Sequence, residues 1–154
     1  MGKSPEIEWN PRGGTAANAR RRLPELAAAY FAEARTLLGQ VSDPAGLHRL
    51  RLISKRFRYT LELFRPYYPP AMSERIDALK RVQDVLGEIN DTVVTVGLIA
   101  EMPGSVRMRR YLEELAAEKA VAFRSEWTER FDAPGSEAWW TDFLSSSARV
   151  GSRR

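Results

Sequence analysis

The stretch Leu47-His48-Arg49-Leu50-Arg51-Leu52-Ile53-Ser54-Lys55-Arg56-Phe57-Arg58-Tyr59-Thr60-Leu61 carries two patterns at once. Leu50, Ile53, Phe57, Leu61 and, just beyond, Phe64 recur at steps of three, four, four and three residues, the signature of one apolar helical face. His48, Arg51, Lys55 and Arg58 recur at three, four and three. At ~100° per residue, the three cations fall within ~80° of His48, and the apolar face is centred ~180° away. Tyr59 lies close to the His48–Lys55 line, while Arg49 and Arg56 form a second edge. Ser42 or Asp43 can cap this helix, and Pro44 suits its first position. Pro66, Pro69 and Pro70 stop it after about Arg65.

The same reading extends in both directions. Upstream, Leu23, Ala27, Tyr30, Ala34 and Leu37 or Leu38 predict a helix over about Ala16–Leu38, with Gly39 as its stop. Pro24 places the start of its regular part near Leu23, because a helix tolerates proline best in its first turn. Downstream, a third helix starts after Met72, with Ser73 as cap and Glu74 in its first turn. Ile76, Leu79, Val82, Leu86, Ile89, Val93 and Val96 carry its stripe to about Ala100, before Pro103 and Gly104. Thr92–Val96 favours a strand by propensity, but the unbroken stripe decides for helix. Met108, Leu112, Leu115, Phe123 and Trp127 mark a fourth helix over about Ser105–Phe131. After Pro134-Gly135, the segment Glu137–Leu144, with Trp139, Trp140 and Phe143, fits a short fifth helix. The expected fold class is therefore all-α, an antiparallel up-and-down four-helix bundle with a short fifth helix. Residues 16–144 form the bundle, residues 1–15 a flexible lead-in and residues 145–154 a mobile basic tail.

Composition narrows the chemistry. The chain has 154 residues, 44% hydrophobic and 29% charged, which suits a single globular domain. It has no cysteine, which excludes disulfide frameworks, thiol catalysis and Cys-ligated zinc or iron–sulfur sites. No apolar run is long enough to cross a bilayer, and the N-terminus lacks a secretory apolar core. Glu6 stands where a myristoylation signal needs Ser or Thr. A cytoplasmic location without a membrane partner is the expectation. The net charge of +4 is uneven: residues 1–70 hold 12 basic and 6 acidic side chains, residues 71–154 hold 12 and 14. Such asymmetry suits an anionic partner for one part of the molecule.

The row His48, Arg51, Lys55, Arg58 rises ~15 Å along the helix. Like charges in line repel by a few tenths of a kcal/mol per neighbouring pair, and a structural role would intersperse Glu. Repeated phosphates match such a row, since Arg offers forked donors and Lys a mobile point charge. A metal site at His48 has little support, because the chain holds no second histidine. Nucleic acid suits the charge, yet Tyr59 is the one aromatic beside the row, where single-strand binders stack bases on several. Lys119 falls on the apolar stripe of the fourth helix, where it either snorkels out or faces a wet cavity. On the third helix Lys80, Gln83, Asp84, Gly87, Asn90 and Asp91 share one side. Gly87 in mid-helix costs ~1 kcal/mol relative to Ala, which suggests close approach of another helix or a ligand. Gln83, Asn90 and Asp91 are candidates for orienting the basic side chains. Asp84 with Glu88 or Asp91 could reach one ion, but no nuclease or kinase signature accompanies them, and Gly2-Lys3-Ser4 has no preceding glycine-rich loop.

Two motifs then stand out together. Leu47-His48-x-x-Arg51-x-x-x-Lys55-Arg56-x-Arg58-Tyr59-x-x-Glu62, followed by Leu79-Lys80-x-x-Gln83-x-x-Leu86-Gly87-x-x-Asn90-Asp91, resembles the CHAD family, the conserved histidine α-helical domain. The motifs cover about residues 45–100, and flanking helices extend the likeness over most of 20–131. The resemblance implies an all-helical domain that binds inorganic polyphosphate, with His48, Arg51, Lys55, Arg58, Tyr59 and Lys80 as its contacts. Arg20, from the Arg20–Arg22 cluster, and Lys119 join that set by helical facing rather than by the motif. The family's usual member carries two four-helix halves in tandem around a basic channel. This chain resembles the second half alone, so an isologous homodimer is expected. The resulting expectation is a cytoplasmic polyphosphate-binding module, associated with polyphosphate granules, with no catalytic residue, metal or cofactor. Phosphoanhydride processing, nucleic-acid binding and a protein–protein module built on Trp139 and Trp140 are the alternatives.

Overall fold

The computed structural model describes residues 9–39, 44–146 and 148. It is all-helical over those residues: α1 (Thr15–Gly39), α2 (Pro44–Phe64), α3 (Met72–Ile99), α4 (Val106–Glu126) and α5 (Ser136–Ser146). A 3-10 turn, Arg65–Tyr67, follows α2, and one π-helical turn, Trp127–Phe131, follows α4. Helix α2 packs between α1 and α3, α4 lies on α3, and α5 lies on α1. The expected apolar stripes fill the core: Leu50, Phe57 and Leu61 of α2 are buried, as are Ile76, Leu79, Val82, Leu86 and Ile89 of α3.

The far wall is built differently from a simple fourth helix. Only Ala116 and Phe123 of α4 are buried, and Met108 of its expected stripe is exposed. The core is closed instead by the π turn and α5. The Trp140 ring sits among Phe31 of α1, Phe57 of α2 and Phe131 of the π turn, at centroid distances of 6.3, 5.4 and 5.4 Å. These rings bury large apolar areas and pack tilted or edge-on, as aromatic quadrupoles prefer. The neighbouring Trp139 covers the Arg75 guanidinium at 3.4 Å, with Phe143 on it at 3.7 Å. Trp140 is thus core, while Trp139 covers a buried arginine with one face and is itself 46% exposed.

Several boundaries depart from expectation. Helix α1 starts at Thr15, beside the expected Ala16, but its regular part runs unbroken through Pro24 and begins eight residues before the expected Leu23. Leu23 and Ala27, buried on either side of the proline, hold the helix across the missing hydrogen bond. The lead-in is tied down from Trp9 onward: the Trp9 ring stacks on Phe64 at 5.5 Å. The buried Asn18 amide accepts from the Asn10 N–H at 2.8 Å and donates to the Asn10 carbonyl at 2.9 Å. Ala148, in the expected tail, is buried. Ser73 is no cap, since α3 already begins at Met72; its hydroxyl accepts from the Arg65 guanidinium at 2.7 Å. The expected caps Ser42 and Asp43 lie outside the described residues. Thr92–Val96 is helical, with the Thr92 and Thr95 hydroxyls donating to the carbonyls of Glu88 and Asp91.

Candidate anion-binding site

Helix α2 holds the cation row rigidly, because its opposite face is anchored at every turn. Leu50, Ile53, Phe57 and Leu61 are buried, and so is Ser54, which reasoning from periodicity missed. The Ser54 hydroxyl lies 2.8 Å from the Tyr30 hydroxyl, a buried hydrogen bond between α1 and α2. Burial pushes the Tyr30 phenol up to about 12, with hydrogen bonding to Ser54 partly offsetting it. The two α2 edges then differ in kind. On the second edge, the Arg49 guanidinium donates to the Glu33 carboxylate at 2.9 Å.

On the main row, His48, Arg51 and Lys55 make no ion pair with a carboxylate among the described residues. His48 and Lys55 are exposed and Arg51 is half-buried. Tyr59, 49% exposed, joins the lower part of the row: Lys55 Nζ lies 5.7 Å and Arg58 Cζ 4.8 Å from its ring centroid. A cation over an aromatic face is favourable, so Tyr59 spaces and steadies two like charges that would otherwise repel. Arg58 is the most committed of the four. Its side chain is mostly covered, its Nε lacks a hydrogen bond, and its nearest carboxylate oxygen, on Glu62, is 3.9 Å away.

At the upper end, His48 opens onto a cavity of about 250 Å³ between α2, α3 and α4. Leu86, Ile89 and Val93 form part of its apolar lining, and Asn90 and Glu113 bring polar groups to it. His48 and Asn90 are therefore brought together, as the shared side of α2 and α3 predicts. Among the described residues, however, the side chains of Gln83, Asn90 and Asp91 make no hydrogen bond to the row. The Gln83 Oε1 is buried and unpartnered, whereas Asp91 is exposed. Lys80 is exposed on α3 without an ion pair among the described residues. Space beside Gly87 is open: an added Cβ meets nothing within 4 Å, so no neighbouring helix approaches it.

Two further expected contributors have neighbours of their own. Lys119 snorkels to the α3–α4 surface, where its Nζ is 3.8 Å from the Glu88 carboxylate. That pairing also occupies Glu88, one of the acids considered for an ion site. Arg20 is exposed on α1, near enough to Tyr68 for its charge to partly offset the burial that raises that phenol's pKa. Helical facing placed both on suitable sides of their own helices but could not show which neighbouring helix those sides meet.

The comparison with protein families agrees with the motif reading. The CHAD domain model matches residues 5–100, from the lead-in to the end of α3. The chain belongs to the CHAD family. No curated protein and no solved structure matches it. The cation row, Lys80 and the α3 motif all lie inside the CHAD match, whereas α4, the π turn and α5 lie beyond it.

Proposed function

We propose that this CHAD domain is a binding module for inorganic polyphosphate, gripped along α2 by His48, Arg51, Lys55 and Arg58 with Tyr59 between the last two. One observation carries the reading. The fold supplies carboxylates to Arg35, Arg49 and Lys119 but none to His48, Arg51 or Lys55 among the described residues. Two cations and an imidazole without counter-charges on one rigid face present donors that a chain of phosphates can satisfy. Binding proceeds through charge-assisted hydrogen bonds, with no covalent step, in the cytoplasm. A two-fold homodimer belongs to the same reading, and a monomeric elution and scattering profile at tens of micromolar overturns that part.

The test is a titration with polyphosphate, single-stranded DNA and orthophosphate at two salt concentrations. Polyphosphate binds tightest, orthophosphate weakest, and the polyphosphate affinity falls with salt, because several contacts act in series. Equal affinity for DNA and polyphosphate replaces this reading with general polyanion binding. Phosphate release with and without magnesium stays at background; turnover in either condition makes the chain an enzyme instead.

A further inference from the structure

The far end of the α3–α4 hairpin serves neither the core nor the cation row. Eight large apolar side chains among the described residues are more than half exposed, and six of them fall within residues 94–111. At the tip, Leu98, Met102, Val106 and Met108 are 74, 58, 66 and 56% exposed. The turn that presents them is ordered. The Met102 N–H donates to the Ile99 carbonyl at 3.0 Å, and the Ser105 N–H to the Met102 carbonyl at 3.2 Å. Gly104, at φ +78°, takes the left-handed conformation the turn requires.

The same tip is strongly positive. Arg107, Arg109 and Arg110 stand at the start of α4, whose first turn has no acid, so they add to the positive end of the helix dipole rather than offset it. None of the three has a carboxylate partner among the described residues, and Glu101 is the one acid between Leu98 and Leu112.

We propose that this hairpin end docks the protein on an anionic lipid surface. Leu98, Met102 and Val106 enter the boundary between headgroups and acyl chains, while Arg107, Arg109 and Arg110 meet headgroup phosphates. An apolar tip collared by arginine matches that boundary, because the guanidinium groups stay at phosphate level while the apolar groups go deeper. A protein partner fits the tip less well. Two helix ends side by side, each ~10 Å across, offer far less than the ~800 Å² per partner of a stable interface. Lipid contact needs no matching surface. Among the described residues no helix is long and apolar enough to cross a membrane, so the contact is a shallow one. The expectation of no membrane partner rested on that lack of a spanning segment, which does not bear on a tip that only dips. The cavity joining His48 to Val96 and Glu113 ties the start of α2 to this end. Docking therefore turns the His48 end of the cation row toward the surface.

The test is flotation of the full chain with vesicles of phosphatidylcholine, and of phosphatidylcholine with a quarter phosphatidylglycerol. The protein floats with the anionic vesicles and not with the neutral ones. Leu98→Gln with Val106→Gln, and separately Arg107, Arg109 and Arg110 all to Gln, each lower the bound fraction about tenfold while helix content by circular dichroism is unchanged. A variant with Arg51, Lys55 and Arg58 changed to Gln floats like the wild type. Undiminished binding by the Leu98/Val106 variant overturns the proposal, as it reduces the effect to charge adsorption. Loss confined to the α2 variant overturns it too, by placing the lipid contact on the cation row. A wild-type dimer that the Leu98/Val106 change turns into a monomer makes the tip a self-contact surface, and the proposal falls.

Discussion

Changing Arg51, Lys55 and Arg58 to Gln, singly and together, tests the cation row where its members differ. Among the described residues Arg51 and Lys55 have no ion pair to give up on binding, so each phosphate contact is a net addition. A charge-assisted hydrogen bond contributes about 1.5–3 kcal/mol when well buried. At an exposed, salt-screened surface we take the lower end, about 1–1.5 kcal/mol, or about fivefold to tenfold in Kd. Arg58 is already held over Tyr59 at 4.8 Å and lies 3.9 Å from Glu62. Binding must share or break those contacts, so Arg58→Gln costs about threefold or less. The triple variant loses on the order of 100-fold by the same per-contact figures.

Salt dependence supplies an independent measure of the same contacts. For a flexible polyanion, log K falls with log salt at about 0.7 per neutralised phosphate. Three to four contacts give a slope of about −2 to −3, so raising salt from about 50 to 200 mM weakens wild-type binding by roughly 20- to 60-fold. The triple variant keeps a slope of about −1 or less. Isothermal titration at both salts reads affinity and slope together, and circular dichroism confirms the helices. A triple variant with the wild-type slope refutes the reasoning, because the phosphates would then be held by other cations. An Arg58 effect larger than those of Arg51 and Lys55 refutes the argument that existing contacts weaken its contribution.

Three further outcomes follow from the fold. Tyr30 binds its proton more tightly folded, at about 12, than unfolded, at 10.0, so its contribution is full below pH 10 and is lost as pH rises through about 12. That loss amounts to about 2–3 kcal/mol, and Tyr30→Phe flattens the decline in urea midpoint over this window while losing the Ser54 hydrogen bond. Arg75 is buried and donates to the carbonyls of Ala71 at 3.1 Å and Trp139 at 2.9 Å, and its desolvation lowers its pKa to about 10. Arg75→Ala strands the Trp139 carbonyl and empties the slot between two rings, costing about 2–4 kcal/mol by denaturant titration; a cost under about 0.5 kcal/mol means α5 does not depend on this clamp. Gly87→Ala meets nothing within 4 Å and raises stability by about 0.4–1 kcal/mol; a loss of stability means the open space beside Gly87 is not really open.

Periodicity made the five helices legible because each carries a stripe at three- and four-residue steps. It even overrode the strand propensity of Thr92–Val96, whose threonine hydroxyls find carbonyls four residues back. It could not show that α4 leaves the core halfway along. A stripe says which side of a helix is apolar, not how much of its length has a neighbour, so Met108 read as core and is exposed. Pro24 misplaced the start of the regular part of α1 for a related reason: local chemistry disfavours a helix there, and burial of Leu23 and Ala27 outweighs it. The row on α2 was legible because its members share one helix, whose geometry is fixed. Lys119 and Arg20 belong to other helices, and their distance from the row depends on packing that spacing does not encode. Arg75 left no signal, since an arginine buried between two distant aromatic residues has no periodic signature.

The emptiness of the row is itself written into the sequence, and that can be tested. On a helix, a carboxylate reaches a cation from three or four residues away. The positions at those distances from His48, Arg51 and Lys55 are occupied by Pro44, Ala45, Leu47, Leu52, Ser54, Tyr59 and members of the row itself. Glu62 is the first acid in reach, and it sits beside Arg58. With 20 Asp and Glu in the chain, a purely structural helix had acids available that it does not place here. Leu52→Glu supplies one, three residues before Lys55, four after His48 and four before Arg56, on a side chain that is already 44% exposed. Helix pairing of this kind stabilises by about 0.2–0.5 kcal/mol per pair. The variant is thus as stable as the wild type or slightly more so, yet binds polyphosphate several-fold more weakly, because an anion now competes for Lys55 and repels the ligand. Stability and affinity moving in opposite directions is the outcome that a row kept open for phosphate demands. Unchanged affinity at higher stability leaves the row a solvated surface, with the phosphate site to be sought elsewhere.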